Sequence, residues 1–213
     1  MNSKRQDIID AASRIFLREG FSAASVNDIA RLAGVSKRTL YKYFDSKTAL
    51  FGAIIIHTSE QLLGTLKTAR AYEDPHVTLT AFAQSYLDLV LSPLGLDLNR
   101  AVIAESKRFP KLGLTFHAAG YERTAEALAE YLTKQDAEGT LRVPEPDILA
   151  NQFLGLCLGS LRLRAYFNSA VAGDKAMIEH WIESAVSLFL RGCEYRLGRD
   201  KARTAKGARD PVD

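Results

Sequence analysis

The sequence predicts an all-α chain of about nine helices, and three observations predict it. Apolar residues recur at i, i+3 and i+4 along most of the length, from Ile8, Ala12 and Phe16 to Ala185, Leu188 and Phe189. Serines and glycines fall where helices begin and end, as at Ser25, Gly34, Ser36 and Ser46. No stretch sustains the two-residue alternation of a strand, and there is no Asn-Gly hairpin turn. With 213 residues, 47% of them hydrophobic and 25% charged, the chain can bury a core as one large or two small domains.

Taken in order, residues 1–6 are polar and carry Lys4 and Arg5, a basic arm ahead of the first helix. That helix runs from Asp7 to Arg18, with Ile8, Ala12 and Phe16 as its stripe; Gly20 ends it and Phe21 is expected to fold back onto the core. Ser25 caps a second helix through Ile29, Ala30 and Ala33, and Asp28 approximates a capping box. Gly34 suits the left-handed residue that stops it, and Val35 plugs the corner. Ser36 caps a third helix. A fourth starts at Asp45-Ser46 and continues to about residue 71, before the breaker Glu73-Asp74-Pro75.

Further on, helices are expected over 76–92, over Leu98–Phe109 until Pro110, and over Gly113–Gln135. A loop with two prolines, Gly139–Pro146, leads to a very apolar helix over Asp147–Ser169. A last helix runs from Gly173-Asp174 to about Leu197. Residues 198–213 are poor in apolar side chains and read as a disordered tail.

The third helix carries the chemistry. Leu40 and Phe44 point one way at i, i+4, while Arg38 and Lys42 lie opposite, flanked by Lys37, Thr39, Tyr41 and Tyr43. One face is core; the other offers donors, cations and aromatic hydroxyls, which is what a helix needs to enter a major groove. Basic faces on isolated helices are usually solvated. Here cap, helix, glycine turn, second cap and basic face follow one another with helix-turn-helix spacing. The charge distribution agrees. Residues 1–50 hold nine Lys and Arg against five Asp and Glu, residues 51–190 hold twelve against sixteen, and residues 191–213 hold seven against four.

At this point residues 8–51, and above all GVSKRTLYKYFDSKTAL, resemble the N-terminal domain of TetR-family transcriptional regulators. One position departs: Ala49 stands where an acidic residue is common in the family. Residues 99–167, with VIAESKRFPKLGLTFHAAGYERT and QFLGLCLGSLRLRAYF, are similar to the C-terminal domain of the AefR-like subgroup. The resemblance implies a three-helix DNA-binding domain over 1–50 and a helical effector-binding and dimerisation domain over 51–197. It implies double-stranded DNA with a palindromic operator, a small-molecule effector and a second copy of the chain as partners. Base readout is then expected from Arg38, Thr39 and Tyr41. Phosphate contacts are expected from Ser36, Lys37, Lys42, Tyr43 and, by the family's matching lysine, Lys47, with Ser25 completing the set.

Two further sets are expectations. Gly155 and Gly159 at i, i+4 permit close helix approach, and with Trp181, Leu188 and Phe189 they suggest a helix-pair interface with a second copy. Phe82, Tyr86, Phe116, His117, Tyr121 and Phe153 are the candidates for an effector site, which would take a flat or greasy molecule with a hydrogen bond from His117 or Tyr86. Such aromatic stripes are more often plain core.

Other classes are disfavoured. There is no GxSxG, Walker loop, GxGxxG or HExxH, so an enzyme is not expected. His57, His76, His117 and His180 lie far apart without metal-ligand spacing, and no cofactor or metal is implied. Cys157 and Cys193 read as buried free thiols of a cytoplasmic protein. No apolar leader follows Met1, and no apolar run is long enough to span a bilayer. A DNA-binding protein without an effector, acting as an architectural factor, is the alternative reading.

Overall fold

The computed structural model describes residues 3–68, 74–168 and 174–207; for residues 61, 68 and 194–207 it describes the backbone alone. All regular structure among the described residues is helical. The helices are α1 (Lys4–Ala23), α2 (Val26–Leu32), α3 (Lys37–Tyr43), α4 (Lys47–Thr68), α5 (Pro75–Val90), α6 (Pro93–Ser106) and α7 (Pro110–Phe116). A π-helical turn (His117–Glu122) then leads into α8 (Arg123–Ala137), α9 (Pro146–Leu158), α10 (Leu161–Phe167) and α11 (Lys175–Gly207).

The chain divides into two compact units, and neither is continuous in sequence. One comprises residues 1–61 and 88–124, the other residues 62–87 and 125–213. The boundary expected near residue 50 falls inside α4, and the units do not divide there. The physical reason lies in the first unit's core. Ile8, Ala12, Ile15 and Phe16 of α1, Ile29 of α2, Leu40 of α3 and Phe51 and Ile54 of α4 are buried together with Leu98, Val102 and Leu112 from α6 and α7. Three short helices cannot cover that much apolar surface by themselves. Phe21, buried after Gly20 (φ 77°), makes the expected return to the core: it stacks on Phe16 and meets Phe51 and Phe109 edge-on. Edge-on aromatic contacts of this kind add about 0.5–1.5 kcal/mol each beyond burial.

Two glycines let α4 come close to α7 and the π-helical turn. A Cβ on Gly52 would lie 2.8 Å from Thr115 Cγ2, and one on Gly120 would lie 3.2 Å from Ile55 Cγ2. Gly120 sits in the π-helical turn, whose wider winding brings residues five apart onto one side. His117 Nδ1 and Glu122 Oε1 accordingly meet at 2.9 Å.

In the second unit α9 packs against α11 around Phe153, Leu154, Cys157, Ile182, Val186 and Phe189. His76 of α5 reaches Glu183 of α11 at 3.2 Å.

Several helix bounds differ from those read in the sequence. α1 starts at Lys4, capped by Ser3, whose hydroxyl accepts from Gln6 N, so the helix begins earlier than expected. α6 starts at Pro93, because Ser92 caps it through Gly95 N at 2.9 Å. Pro110 does more than stop α6; it opens α7, where its missing N–H costs nothing. The apolar helix expected over 147–169 is two helices, broken at Gly159 (φ 42°). Helical backbone continues through Gly207, into the stretch expected to be disordered. The expected end of α4 near residue 71, residues 169 and 173, and the last residues of the tail lie outside the described residues.

Candidate nucleic-acid interface

Local sequence builds the α2–α3 pair. Ser25 Oγ accepts from Asn27 N at 3.2 Å and opens α2; Asp28 pairs with Arg31 at 2.6 Å. Gly34 takes φ 66°, a conformation that would strain any side chain, and Val35 N closes back on Ala30 O at 3.0 Å. Ser36 Oγ then accepts from Thr39 N at 3.0 Å, and the two hydroxyls lie 2.9 Å apart. Leu40 and Phe44 are buried beneath α3.

The opposite face is open. Lys37, Arg38, Tyr41, Lys42 and Tyr43 are exposed and Thr39 is half-buried. The helix KRTLYKY contains no carboxylate, so the charged side chains it carries are all cations. Arg5 lies 5.3 Å over the ring of Phe44, which places a further cation of the N-terminal segment beside the end of α3. Ser25 and Ser36 both have their hydroxyls engaged in capping, so their first role is to start the helices.

Lys47 differs from the other cations. Its Nζ donates to the carbonyls of Ser22 and Ala24, each at 3.1 Å, and sits 4.8 Å from the centroid of the Phe21 ring. Burial lowers its pKa from the ordinary lysine value, and Glu105 acts in the opposite sense. Two of its three N–H donors are therefore spent inside the protein. The two carbonyls beside Lys47 are not visible in the sequence, because they become its neighbours only when α1 and α4 pack.

The aromatic candidates for an effector site fall into two groups. Phe82, Tyr86 and Phe153 are buried together in the second unit: the Phe82 and Tyr86 rings are parallel within 3° at 6.3 Å, and Phe82 meets Phe153 at 6.4 Å. Thr78, one turn before Phe82 on the same helix face, is also buried, and its hydroxyl has no hydrogen-bond partner. Its position at i−4 from Phe82 was the signal that could have added it. Phe116, His117 and Tyr121 belong to the first unit: Phe116 packs on Phe51, while exposed His117 and Tyr121 stack on each other at 5.5 Å.

The expected interface residues also separate. Leu188 is 54% exposed and Gly155 is exposed with open space over it. Phe189 instead lies in the core of its own chain, its ring edge-on to Phe153 at 4.8 Å. Gly159 and Trp181 close on each other within the chain: a Cβ on Gly159 would lie 2.6 Å from Trp181 Cζ2. The Gly155–Gly159 spacing thus does not form one helix face, because α9 ends between them. Cys157 and Cys193 are buried thiols outside any disulfide, as expected, and no group of His, Cys, Asp and Glu among the described residues has metal-binding geometry. No described helix is long and apolar enough to cross a membrane.

Comparison with known proteins agrees with this geometry. Residues 8–54 match the bacterial regulatory proteins of the tetR family, and residues 77–194 match the C-terminal domain of AefR-like transcriptional repressors. The chain is 32% identical over 90 residues to the HTH-type transcriptional activator FasR of Mycolicibacterium smegmatis; that match covers 42% of this chain and 41% of FasR, less than two thirds of it. Among solved structures, the flavonoid-responsive regulator FrrA is 37% identical with a TM-score of 0.72, covering 89% of this chain and 96% of FrrA. A TetR-family transcriptional regulator from Mesorhizobium loti is 28% identical with a TM-score of 0.73, covering 88% and 95%.

Proposed function

The chain belongs to the TetR family of bacterial transcriptional regulators, and on that premise we propose that it is a dimeric repressor, released from a palindromic operator by a small aromatic effector. The observation that carries the DNA reading is the split of α3, with Leu40 and Phe44 buried and Arg38, Tyr41 and Lys42 exposed on a helix without a carboxylate. Arg38, Thr39 and Tyr41 are assigned to base edges. Lys37, Lys42 and Tyr43 are assigned to phosphates, with Ser25 and Ser36 at the helix starts where backbone N–H groups also face outward. Repression, rather than activation, is favoured by the AefR-like repressor domain, which matches over half of the chain.

The effector reading rests on Phe82, Tyr86 and Phe153, with the buried, unpartnered Thr78 hydroxyl beside them. Parallel aromatic rings and one hydroxyl suit a flat molecule with a polar substituent. FrrA, 37% identical, responds to flavonoids, which are of that chemical type. Exposed Leu188 and Gly155 support a contact with a second copy along α9 and α11.

The test is selection of random duplex DNA on the purified protein, followed by sequencing. A palindromic consensus is expected, and flat hydroxylated aromatics are then screened for release of the protein from it. Binding without sequence enrichment would favour the architectural alternative.

A further inference from the structure

Positive charge is not confined to the three short helices. Residues 51–190 are net acidic, with twelve Lys and Arg against sixteen Asp and Glu. Yet Lys107, Arg108 and Lys111 cluster at the turn between α6 and α7. No Asp or Glu occurs anywhere in residues 106–121. All three cations are exposed. None of them makes an ion pair among the described residues, whereas Arg18, Arg31 and Arg100 each hold a carboxylate. Unneutralised cations gathered on an otherwise acidic body concentrate positive potential at one spot.

That spot borders the reading helices. The turn belongs to the same compact unit as α1, α2 and α3. A series of rings ties it to the start of α4. The Arg108 guanidinium lies 5.2 Å from the Phe109 centroid, Phe109 meets Phe21 edge-on at 5.8 Å, and Lys47 Nζ lies 4.8 Å from the Phe21 centroid. Glu105, at the end of α6, is near enough to act on the Lys47 charge. Lys47 is the position to which the family resemblance assigns a backbone phosphate, so the cations of the turn extend the basic surface beyond it. The Phe109 ring also holds the Arg108 guanidinium in place, which lowers the entropy lost on gripping an anion.

We propose that Lys107, Arg108 and Lys111 form an accessory DNA-binding surface, which holds backbone phosphates outside the base pairs that α3 reads. The inference rests on the DNA-binding reading above. Duplex DNA is favoured over an acidic protein because the turn adjoins Phe21 and Lys47, at the starts of α2 and α4. Contacts of this kind carry no sequence information. They add affinity and salt dependence and leave the consensus as it is.

The test compares the full-length wild type with a variant combining Lys107→Gln, Arg108→Gln and Lys111→Gln, both checked for helicity and melting. Two duplexes are used. One ends at the consensus selected by the wild type, and the other carries a further helical turn, about 10 base pairs, on each side. The wild type is expected to bind the extended duplex more tightly. The variant is expected to lose most of that advantage, and its slope of log K against log salt on the extended duplex should be smaller by at least about 0.9. Its order of preference among base substitutions in the consensus should be unchanged. A charge-conserving variant, Lys107→Arg with Lys111→Arg, should bind as the wild type does. Equal affinity and slope for wild type and triple variant on the extended duplex overturn the proposal and leave an acidic protein as the partner of the patch. An altered consensus in the variant also overturns it. If the wild type binds neither duplex, the DNA reading itself fails. If the triple variant does not fold, Lys107→Gln and Lys111→Gln, made singly at exposed positions, are judged by the same slope.

Discussion

Trp181 of α11 caps the end of α9 over Gly159. Its indole N–H is shared between the carbonyls of Leu156 and Cys157, at 3.2 and 3.0 Å, and its ring fills the place a side chain at 159 would take. These carbonyls belong to the last turn of α9, where no intrahelical donor reaches them. Gly159→Ala meets both a strained φ of 42° and the ring. It is expected to cost about 2–4 kcal/mol, read as a shift in the urea midpoint. Trp181→Phe keeps most of the packing but leaves the carbonyls uncovered, and is expected to cost less, about 1–3 kcal/mol.

Arg38 is exposed on the open face of α3, with no acidic residue in the same helix. Arg38→Ala is expected to cost about 1–3 kcal/mol on the selected site and little on random duplex, since a guanidinium bonded to a guanine edge discriminates bases. Equal loss on both duplexes would refute the base-reading assignment.

Lys42 should behave differently. Lys42→Ala is expected to weaken specific and random DNA alike and to reduce the salt slope by about 0.9, as one lost phosphate contact does. Titrations of both duplexes between low and moderate salt check it.

Burial pushes the Cys157 thiol up from its ordinary value of 9.0 to about 12. A raised pKa in an acid means that the folded state favours the neutral thiol. The linked stability is fully present below pH 9 and is lost progressively as pH rises toward 12, by up to about 1.4 kcal/mol per pH unit. Urea unfolding of the wild type should therefore fall more steeply above pH 9 than that of Cys157→Ala. At pH 8 the native thiol should also resist iodoacetamide until the chain is unfolded.

What was legible in the sequence was what local chemistry decides. Ser25, Ser36 and Ser46 cap the helices that their positions announce, Gly34 takes the left-handed turn, and Leu40 and Phe44 go inside while Arg38 and Lys42 stay out. What escaped was decided by partners distant in sequence. A glycine inside an apolar helix costs only about 1 kcal/mol, so Gly159 gave no warning of a break that Trp181, 22 positions on, makes favourable. Pro110 looked like a stop because its role as the first residue of α7 depends on the turn before it. Phe189 looked like interface because nothing local pairs it with Phe153. Lys47 looked free because the carbonyls of Ser22 and Ala24 come to it only through the packing of α1 beside α4.

The first unit's dependence on residues 88–124 also sets an order of events during synthesis. The nascent chain cannot close the core around Phe21 and Phe51 when α4 emerges, because Leu98, Val102, Phe109 and Leu112 have not yet left the ribosome. Translation of residues 62–124 takes roughly 3–13 s at ~5–20 residues per second, and for that interval Ile8, Ile15, Phe16 and Phe51 lack part of their cover. The ribosome thus presents an unfinished reading head to the cell, its apolar core still open until residues 88–124 join it.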